Sequence, residues 1–301
     1  MNGYPKQTNN LIESAVQQHL GGAAGLRRIQ PVGGGCINEA CMAELGDGSR
    51  WFIKLNQASQ LEMFAAEADG LHAIRASNTL YAPEPVGYGV LDNKAYLILE
   101  YLDLGGNGNP QLAGEQLAAM HRCTAERYGW FRDNTIGATH QPNRQHDGWV
   151  GFWRQERLGF QLELAKRNGY PGKAYEQGLR LKERLGGFFT DYQPQASLLH
   201  GDLWGGNMAF KRDGTPVIFD PAVYYGDREA DLAMTELFGG FGGDFYSAYQ
   251  TSWLLDKGYS VRKTLYNLYH ILNHFNLFGG GYGMQAARMT EKLLVEVCGG
   301  V

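Results

Sequence analysis

His200-Gly201-Asp202-Leu203-Trp204-Gly205-Gly206-Asn207, followed by Val217-Ile218-Phe219-Asp220-Pro221, decides how this chain is read. Apolar residues lead into each piece: Leu198-Leu199 before the first, Val217 to Phe219 before the second. Both polar clusters therefore fall at the ends of short buried segments. The stretch from Asp202 to Asn207 is too rich in glycine for helix, and Lys211 to Pro216 reads as a hairpin turn ahead of Asp220. Two carboxylates and a carboxamide converge on one small volume. That set suits phosphoryl transfer: Asp202 as the base beside an attacking hydroxyl, Asn207 and Asp220 as hard oxygen ligands for Mg²⁺ on ATP.

Working outward toward the N-terminus, Leu11, Ile12, Val16 and Leu20 recur at helical spacing, and Gly21-Gly22 ends that helix. Strands are predicted from Leu26 to Val32, up to Leu45, from Arg50 to Leu55, from Val86 to Val90 and from Tyr96 to Tyr101. Gly33-Gly34-Gly35-Cys36 joins two of them. It lacks the Lys-Ser/Thr of a phosphate-binding P-loop and opens no helix, so it is read as a hairpin lid over nucleotide phosphates. In Trp51-Phe52-Ile53-Lys54-Leu55 the strand period of two puts Phe52 and Lys54 on one face. Lys54 is expected to meet the α- and β-phosphates, and Phe52 to stack on adenine. The segment Leu61 to Arg75 carries a helical apolar stripe, with Glu67 at its edge as the expected ion-pair partner of Lys54. The sheet ends near Gly105-Gly106, which reads as a hinge; resemblance to kinase-like folds, where backbone groups at such a hinge bind the adenine edge, implies that role for Glu100, Tyr101 and Leu102.

Beyond that point the pattern is mainly helical. Helices are expected over 112–124, 149–166, 176–189, 265–278 and 284–297, with Asp133 to Thr139 as a polar loop. Asp227 is placed to cap a helix, and Asp231 to accept backbone N–H groups from the catalytic loop. His121 reads as a packed or capped histidine, and His270 and His274, four apart on one helix face without the HExxH of a zinc pair, read as packing or substrate-pocket residues. The expected division is residues 1–102 as a nucleotide-binding lobe and 103–301 as a catalytic and substrate-binding lobe.

These segments resemble the small-molecule branch of the protein-kinase-like fold, where Gly201 stands in the place of the Arg of protein kinases. More specifically, the chain is similar to the fructosamine-3-kinase/ketosamine-3-kinase family. The resemblance rests on Gly33 to Asn38, Phe64 to Leu71, Asn134 to Thr139, His200 to Asn207, Asp220 to Glu229 and Phe278 to Tyr282. It implies an α+β, two-lobed fold, with an antiparallel N-lobe sheet, one main N-lobe helix and a helical C-lobe. It also implies ATP-dependent phosphorylation of the 3-hydroxyl of a ketosamine (ribulosamine, erythrulosamine or fructosamine), in deglycation. In that frame Asp202 is the base, Asn207 and Asp220 hold Mg²⁺, and Lys54 with Glu67 positions the phosphates. Trp204, Tyr224 and Asp227 are the candidates for the substrate side. The alternatives are a phosphotransferase acting on an aminoglycoside or another small hydroxyl compound, and a nucleotide-binding regulatory pseudokinase.

Composition narrows the partners. Net charge is −4, from 27 basic and 31 acidic residues, with no basic block, so a nucleic-acid partner is not expected. No apolar run is long enough for a membrane span, and no signal-peptide core is present. The four cysteines have no metal spacing, and a cytoplasmic, reduced protein is the expectation. The expected assembly is a monomer or a redox-dependent homodimer, because Cys36 follows three glycines beside backbone N–H groups suited to anions, which favour thiolate. Cys41, five residues on, is about 17 Å away along an extended strand and cannot be its partner. Mild peroxide is therefore expected to lower activity reversibly through Cys36, by sulfenic acid, mixed disulfide or a Cys36–Cys36 link. Non-reducing electrophoresis and activity of Cys36→Ser beside wild type check this, and equal inactivation of the two proteins removes Cys36 from the reading.

Overall fold

The computed structural model describes residues 5–21, 25–33 and 37–298. The described elements run α1 (Lys6–Leu20), β1 (Leu26–Pro31), β2 (Glu39–Leu45), β3 (Arg50–Gln57), α2 (Leu61–Ala76), β4 (Pro85–Leu91), β5 (Lys94–Glu100) and α3 (Pro110–His121). They continue with β6 (Thr124–Ala125), β7 (Asn134–Ile136), β8 (Thr139–Gln141), α4 (Trp149–Phe152), α5 (Phe160–Arg167), α6 (Gly172–Glu183) and β9 (Ala196–Leu199). Then come β10 (Met208–Phe210), β11 (Pro216–Ile218), β12 (Tyr224–Gly226), α7 (Glu229–Leu237), α8 (Gly243–Ser252), α9 (Tyr259–Phe278) and α10 (Tyr282–Cys298). The chain forms two compact units. The first holds residues up to Gly108 together with Ala209–Phe219, and the second holds Asn109–Met208 and Asp220–Val301. The division thus falls after Gly108 rather than after Leu102, and the β10–β11 hairpin joins the first unit.

The first unit is a five-stranded sheet in the order β1-β2-β3-β5-β4, with every pairing antiparallel. Alternation sorts its faces. Cys41, Ala43, Ile53, Leu55, Tyr96 and Ile98 pack with Leu11, Ile12, Ala15 and Val16 of α1 in one buried cluster. The opposite parity carries Phe52 and Lys54, paired in register with Leu99 and Leu97 on one side and with Met42 and Ala40 on the other. The β4–β5 turn uses Asp92 (φ 46°) and Asn93 (φ 62°), the left-handed pair that matches the twist of a two-residue hairpin.

The second unit is built on aromatic packing. Trp149, Phe152, Trp153, Tyr224, Tyr266 and Tyr269 lie in one core, with Trp153 edge-on to Tyr266 at 4.9 Å between ring centres. A three-stranded sheet, β12-β9-β6, carries the chain into His200. Several expectations change here. The stretch expected as a polar loop is the β7–β8 hairpin, reversed at Gly137 (φ 60°) and largely buried. The helix expected from residue 149 is interrupted by a π-helical segment, Trp153–Gly159, which turns Glu156 and Arg157 inward. The helix expected over 176–189 is α6, which starts earlier and ends at Glu183 before a short 3₁₀ turn, Leu185–Phe188. Helix α8 was not expected at all, because its Tyr-, Ser- and Gln-rich sequence buries only Phe245 and Tyr249 and leaves little apolar period to detect.

One ion pair fastens α7 to α9. Arg262 donates from Nε to Glu229 Oε2 (2.7 Å) and from Nη2 to Glu229 Oε1 (2.9 Å), and both residues are buried. Burial pushes the Glu229 carboxyl up to about 7, against the pull of Arg262. Arg262→Ala is expected to cost about 3–5 kcal/mol, because it leaves a buried carboxylate without its cation. The folded-state pKa of Glu229 lies above its unfolded value, so this deficit should shrink as pH falls toward the ordinary carboxyl range and grow above it. Urea unfolding of both proteins at pH 5.5 and 8 checks it, and a deficit independent of pH would contradict the assignment.

Candidate active site

The catalytic loop begins where β9 ends. Its shape is set by Asp231 in the first turn of α7. The Asp231 carboxylate accepts the His200 N–H at 2.7 Å and the Gly201 N–H at 2.8 Å. It also meets His121 Nε2 at 3.2 Å. A carboxylate only accepts, so Nε2 carries the proton, and Nδ1 accepts from the Tyr249 hydroxyl at 2.8 Å. Arg228 in turn donates to Tyr249 at 3.1 Å. Burial alone would push Asp231 up. The hydrogen bonds from His121 and Gly201 outweigh it and hold the carboxyl below its usual range, so it stays charged. Burial is also the main cause that lowers His121, keeping the imidazole neutral.

Gly201 is required by two facts at once. Its φ is +85°, and a Cβ there would stand 2.1 Å from the Ala222 carbonyl oxygen. That close approach locks the catalytic loop to the segment after Asp220, with the Ala222 N–H donating to the His200 carbonyl at 2.8 Å. The β7–β8 hairpin braces the same segment from the other side. Asn134 donates to the Val223 carbonyl (2.8 Å), and Gln141 to the Ala222 carbonyl (3.1 Å) and to Asn134 Oδ1 (2.8 Å). Asp220 sits at φ +57°, an uncommon state for a residue other than glycine, with packed chain on both sides of it.

Asp202 is half-buried and Asn207 is buried. Asn207 donates through Nδ2 to the Asp202 backbone carbonyl at 2.8 Å, which turns its Oδ1 away from that contact. The Asp202 carboxyl is pushed up to about 7, first by burial and then by the negative charges of Asp220 and Asp231. The Asp220 carboxylate and the Asn207 side-chain oxygen are hard oxygen donors that follow Asp202 in the chain, the ligand chemistry a divalent cation takes. The residues present therefore fit Mg²⁺.

In the first unit Lys54 is almost fully buried, and its Nζ meets Glu67 Oε1 at 2.6 Å. Phe52 is half-buried on the same sheet face. Gly33 has open space where a Cβ would be. Gly34, Gly35 and Cys36 lie outside the described residues. The Glu100 side chain is committed within the unit: it accepts from the Tyr81 hydroxyl at 2.5 Å and from the Glu84 N–H at 3.2 Å. Tyr101 lies under the Arg50 guanidinium at 4.7 Å, and Leu102 is half-buried.

The substrate-side candidates separate. Trp204 is 40% exposed, two residues from Asp202. Tyr224 and Asp227 are buried and present no face to a substrate. Tyr224 packs under the Arg157 guanidinium at 4.0 Å. Asp227 accepts from the Tyr192 hydroxyl (2.9 Å), the Tyr266 hydroxyl and the Glu229 N–H (3.0 Å), so it caps α7 as expected but contacts nothing outside the fold. Sequence reasoning missed the Asn134–Gln141 brace, whose polar residues look like solvated loop until their carbonyl partners are known. It also placed no role on Tyr249 or Arg157.

The chain has relatives among known proteins. Residues 8–296 match the profile of the fructosamine kinase family. The chain is 47% identical to a probable ketoamine kinase of Synechocystis sp. over 288 residues, covering 94% of this chain and 96% of that one. It is 41% identical to the chloroplastic protein-ribulosamine 3-kinase of Arabidopsis thaliana, covering 91% and 85%. A Haemophilus somnus crystal structure, described as a candidate fructosamine-3-kinase, superposes with a TM-score of 0.85 at 27% identity, covering 94% of this chain and 96% of that one. The α+β kinase-like fold is thus the fold of this protein, and the chain belongs to the fructosamine kinase family.

Proposed function

We propose that this protein is an ATP-dependent kinase that phosphorylates the 3-hydroxyl of a ketosamine, with ribulosamine-type adducts of small amines or proteins as the leading class. The observation that carries the reading is a family match over nearly the whole chain that includes the Asp202, Asn207 and Asp220 set. The chemistry assigned to each residue follows from its environment. Asp202 takes the proton of the sugar hydroxyl as that oxygen bonds to the γ-phosphorus, and ADP leaves. Burial, the first cause that raises the Asp202 carboxyl, also makes it a better proton acceptor. Asn207 and Asp220 would hold Mg²⁺, which supplies charge neutralisation on the phosphates. Lys54, fixed by Glu67, is assigned to the α- and β-phosphates. Phe52 is assigned to the adenine ring, with backbone groups at Tyr101 and Leu102 on the adenine edge. Gly33 to Cys36 is proposed as the phosphate lid, with Cys36 as its redox-sensitive residue in a monomer that can link to a second copy. Among the described residues no helix is long and apolar enough to cross a membrane.

ATP consumption over ribulosamine, erythrulosamine, fructosamine, an aminoglycoside, choline and a peptide tests the substrate class. Phosphorylation confined to the aminoglycoside, or to none, would overturn the reading. Asp202→Asn is expected to lower kcat by about 10²–10⁴-fold with ATP affinity largely intact, since the base acts on the acceptor. Asp220→Ala should weaken Mg·ATP binding itself, measured by calorimetry. Phe52→Ala should raise the KM for ATP more than it lowers kcat. Equal loss of nucleotide affinity in the Asp202 and Asp220 variants, with turnover spared, would refute the assignment of roles.

A further inference from the structure

Arg228, the residue before α7, is a buried cation with only neutral partners. It is 4% exposed. Its guanidinium donates from Nη1 to the Tyr249 hydroxyl and the Trp253 carbonyl, both at 3.1 Å, and from Nη2 to the Leu254 carbonyl at 2.6 Å. Among the described residues no carboxylate oxygen comes within ion-pair distance of it. The acids that follow and precede it in the chain are already answered. Glu229 takes both arms of Arg262, and Asp227 accepts from Tyr192, Tyr266 and the Glu229 N–H. A cation held out of water in this way is costly unless an opposite charge can reach it.

A route to it exists. Arg228 lines a surface cavity of about 160 Å³ together with Tyr192, Gln193, Gln195, Ser197 and Trp253. All six residues belong to the second unit, and none is acidic. Hydrogen-bond donors gather here beyond what the fold itself uses. Ser197 is 1% exposed, and its hydroxyl has no hydrogen-bond partner. Gln193 and Gln195 are exposed, and each carboxamide carries two N–H groups. A second cation adds to the field: Arg122 lies 4.7 Å from the ring centre of Trp253, and Arg228 lies 4.1 Å from the same centre.

Size and charge together select the ligand. At about 30 Å³ per water, the cavity has room for a few water volumes, enough for one oxyanion group. It is well below the roughly 300–1,000 Å³ of pockets that enclose drug-sized molecules, so a nucleotide or a whole ketosamine does not fit. A guanidinium, a free hydroxyl and two carboxamides, with no carboxylate among them, favour an anion with several acceptor oxygens. The planar fork of arginine matches phosphate in that role.

We propose that this cavity is a phosphate-group site, with Arg228 and Ser197 at its base and Gln193 and Gln195 at its mouth. Its occupant is inorganic phosphate or the head of a small phosphate monoester. The site shares no residue with the Asp202, Asn207 and Asp220 set. It meets the catalytic loop only through Arg228, whose bond to Tyr249 begins the relay to His121 and Asp231.

The test is calorimetry on the full chain in saturating Mg·AMP-PNP, which keeps the titrant out of the nucleotide site. Inorganic phosphate, methyl phosphate and acetate are titrated separately. Wild type should bind phosphate at one saturable site, with acetate at least about tenfold weaker, since it offers two oxygens and one charge. Binding of inorganic phosphate alone assigns the free ion, and binding of methyl phosphate as well assigns a monoester head. Ser197→Ala should weaken binding about tenfold, the scale of one hydrogen bond to a charged group. Gln195→Glu puts a carboxylate at the exposed mouth and should weaken it at least as much, with turnover in phosphate-free buffer equal to wild type. Arg228→Gln should abolish binding. It also removes a packed cation, so thermal unfolding accompanies it, and the Gln195 and Ser197 variants decide the case if it does not fold. No saturable phosphate binding in wild type overturns the proposal. Binding that Gln195→Glu and Ser197→Ala leave undiminished is an adventitious ion only, and overturns it equally.

Discussion

The second unit depends on one buried negative charge. Asp231 is 1% exposed, and desolvation would neutralise it unless it were answered by donors aimed at it. Two of those donors are the His200 and Gly201 backbone N–H groups, so keeping Asp231 charged and keeping the catalytic loop in one conformation are the same requirement. The third, His121, is oriented from behind by Tyr249 and Arg228. A chain of donors, from Arg228 through Tyr249 and His121 to Asp231, therefore ends on the loop that presents Asp202. The Asp231 charge is also one of the causes that raise Asp202. A single carboxylate thus sets both where the base stands and how readily it takes a proton.

The Asp220 segment is held by a different means. It follows a short strand and turns through a left-handed residue, a conformation that costs about 1–3 kcal/mol for a residue of this kind. The opposing forces are visible. Asn134 and Gln141 bind the Val223 and Ala222 carbonyls, Tyr269 donates to Gln141 Oε1 at 2.6 Å, and Arg157 joins Asn143 Oδ1 (2.7 Å) and Pro142 O (2.6 Å) to the ring of Tyr224. The carboxamides serve here because each can donate to a carbonyl and accept from a neighbour at once, which satisfies a buried corner that no helix or strand ladder reaches. The π-helical turn is what brings Arg157 inward to complete this brace.

The sequence made the sheet and the principal charged groups legible because both are short-range signals. Period-two alternation in Trp51 to Leu55 reports a face directly, and a helix stripe with Glu67 on its edge leaves few places for that carboxylate other than against Lys54. Asp231 was legible for the same reason, since a carboxylate in the first turn of a buried helix needs backbone donors. What stayed hidden is long-range. The β7–β8 hairpin looks like loop because its polar side chains serve carbonyls about eighty residues away. The π bulge has no period of its own, though it requires a glycine at 159, where a Cβ would stand 2.4 Å from the Arg154 carbonyl oxygen. Tyr224 and Asp227 are substrate-side candidates through the resemblance alone, which carries no information on burial. Burial reverses that reading.

The reversal bears on what a family signature measures. The run from Asp220 to Glu229 carries part of the resemblance to the family, yet most of its residues are buried. Tyr224 stacks on Phe152 and lies under Arg157, Asp227 gathers two tyrosine hydroxyls and a helix N-terminus, Arg228 is sandwiched on Trp253 at 4.1 Å, and Glu229 grips Arg262. Together they form a scaffold beside Asp220, which holds a left-handed conformation. Recognition of the acceptor must then come from surfaces this stretch does not supply. A scaffold fixed by buried charge lets the phosphoryl-transfer geometry stay constant while surfaces on other elements are free to change.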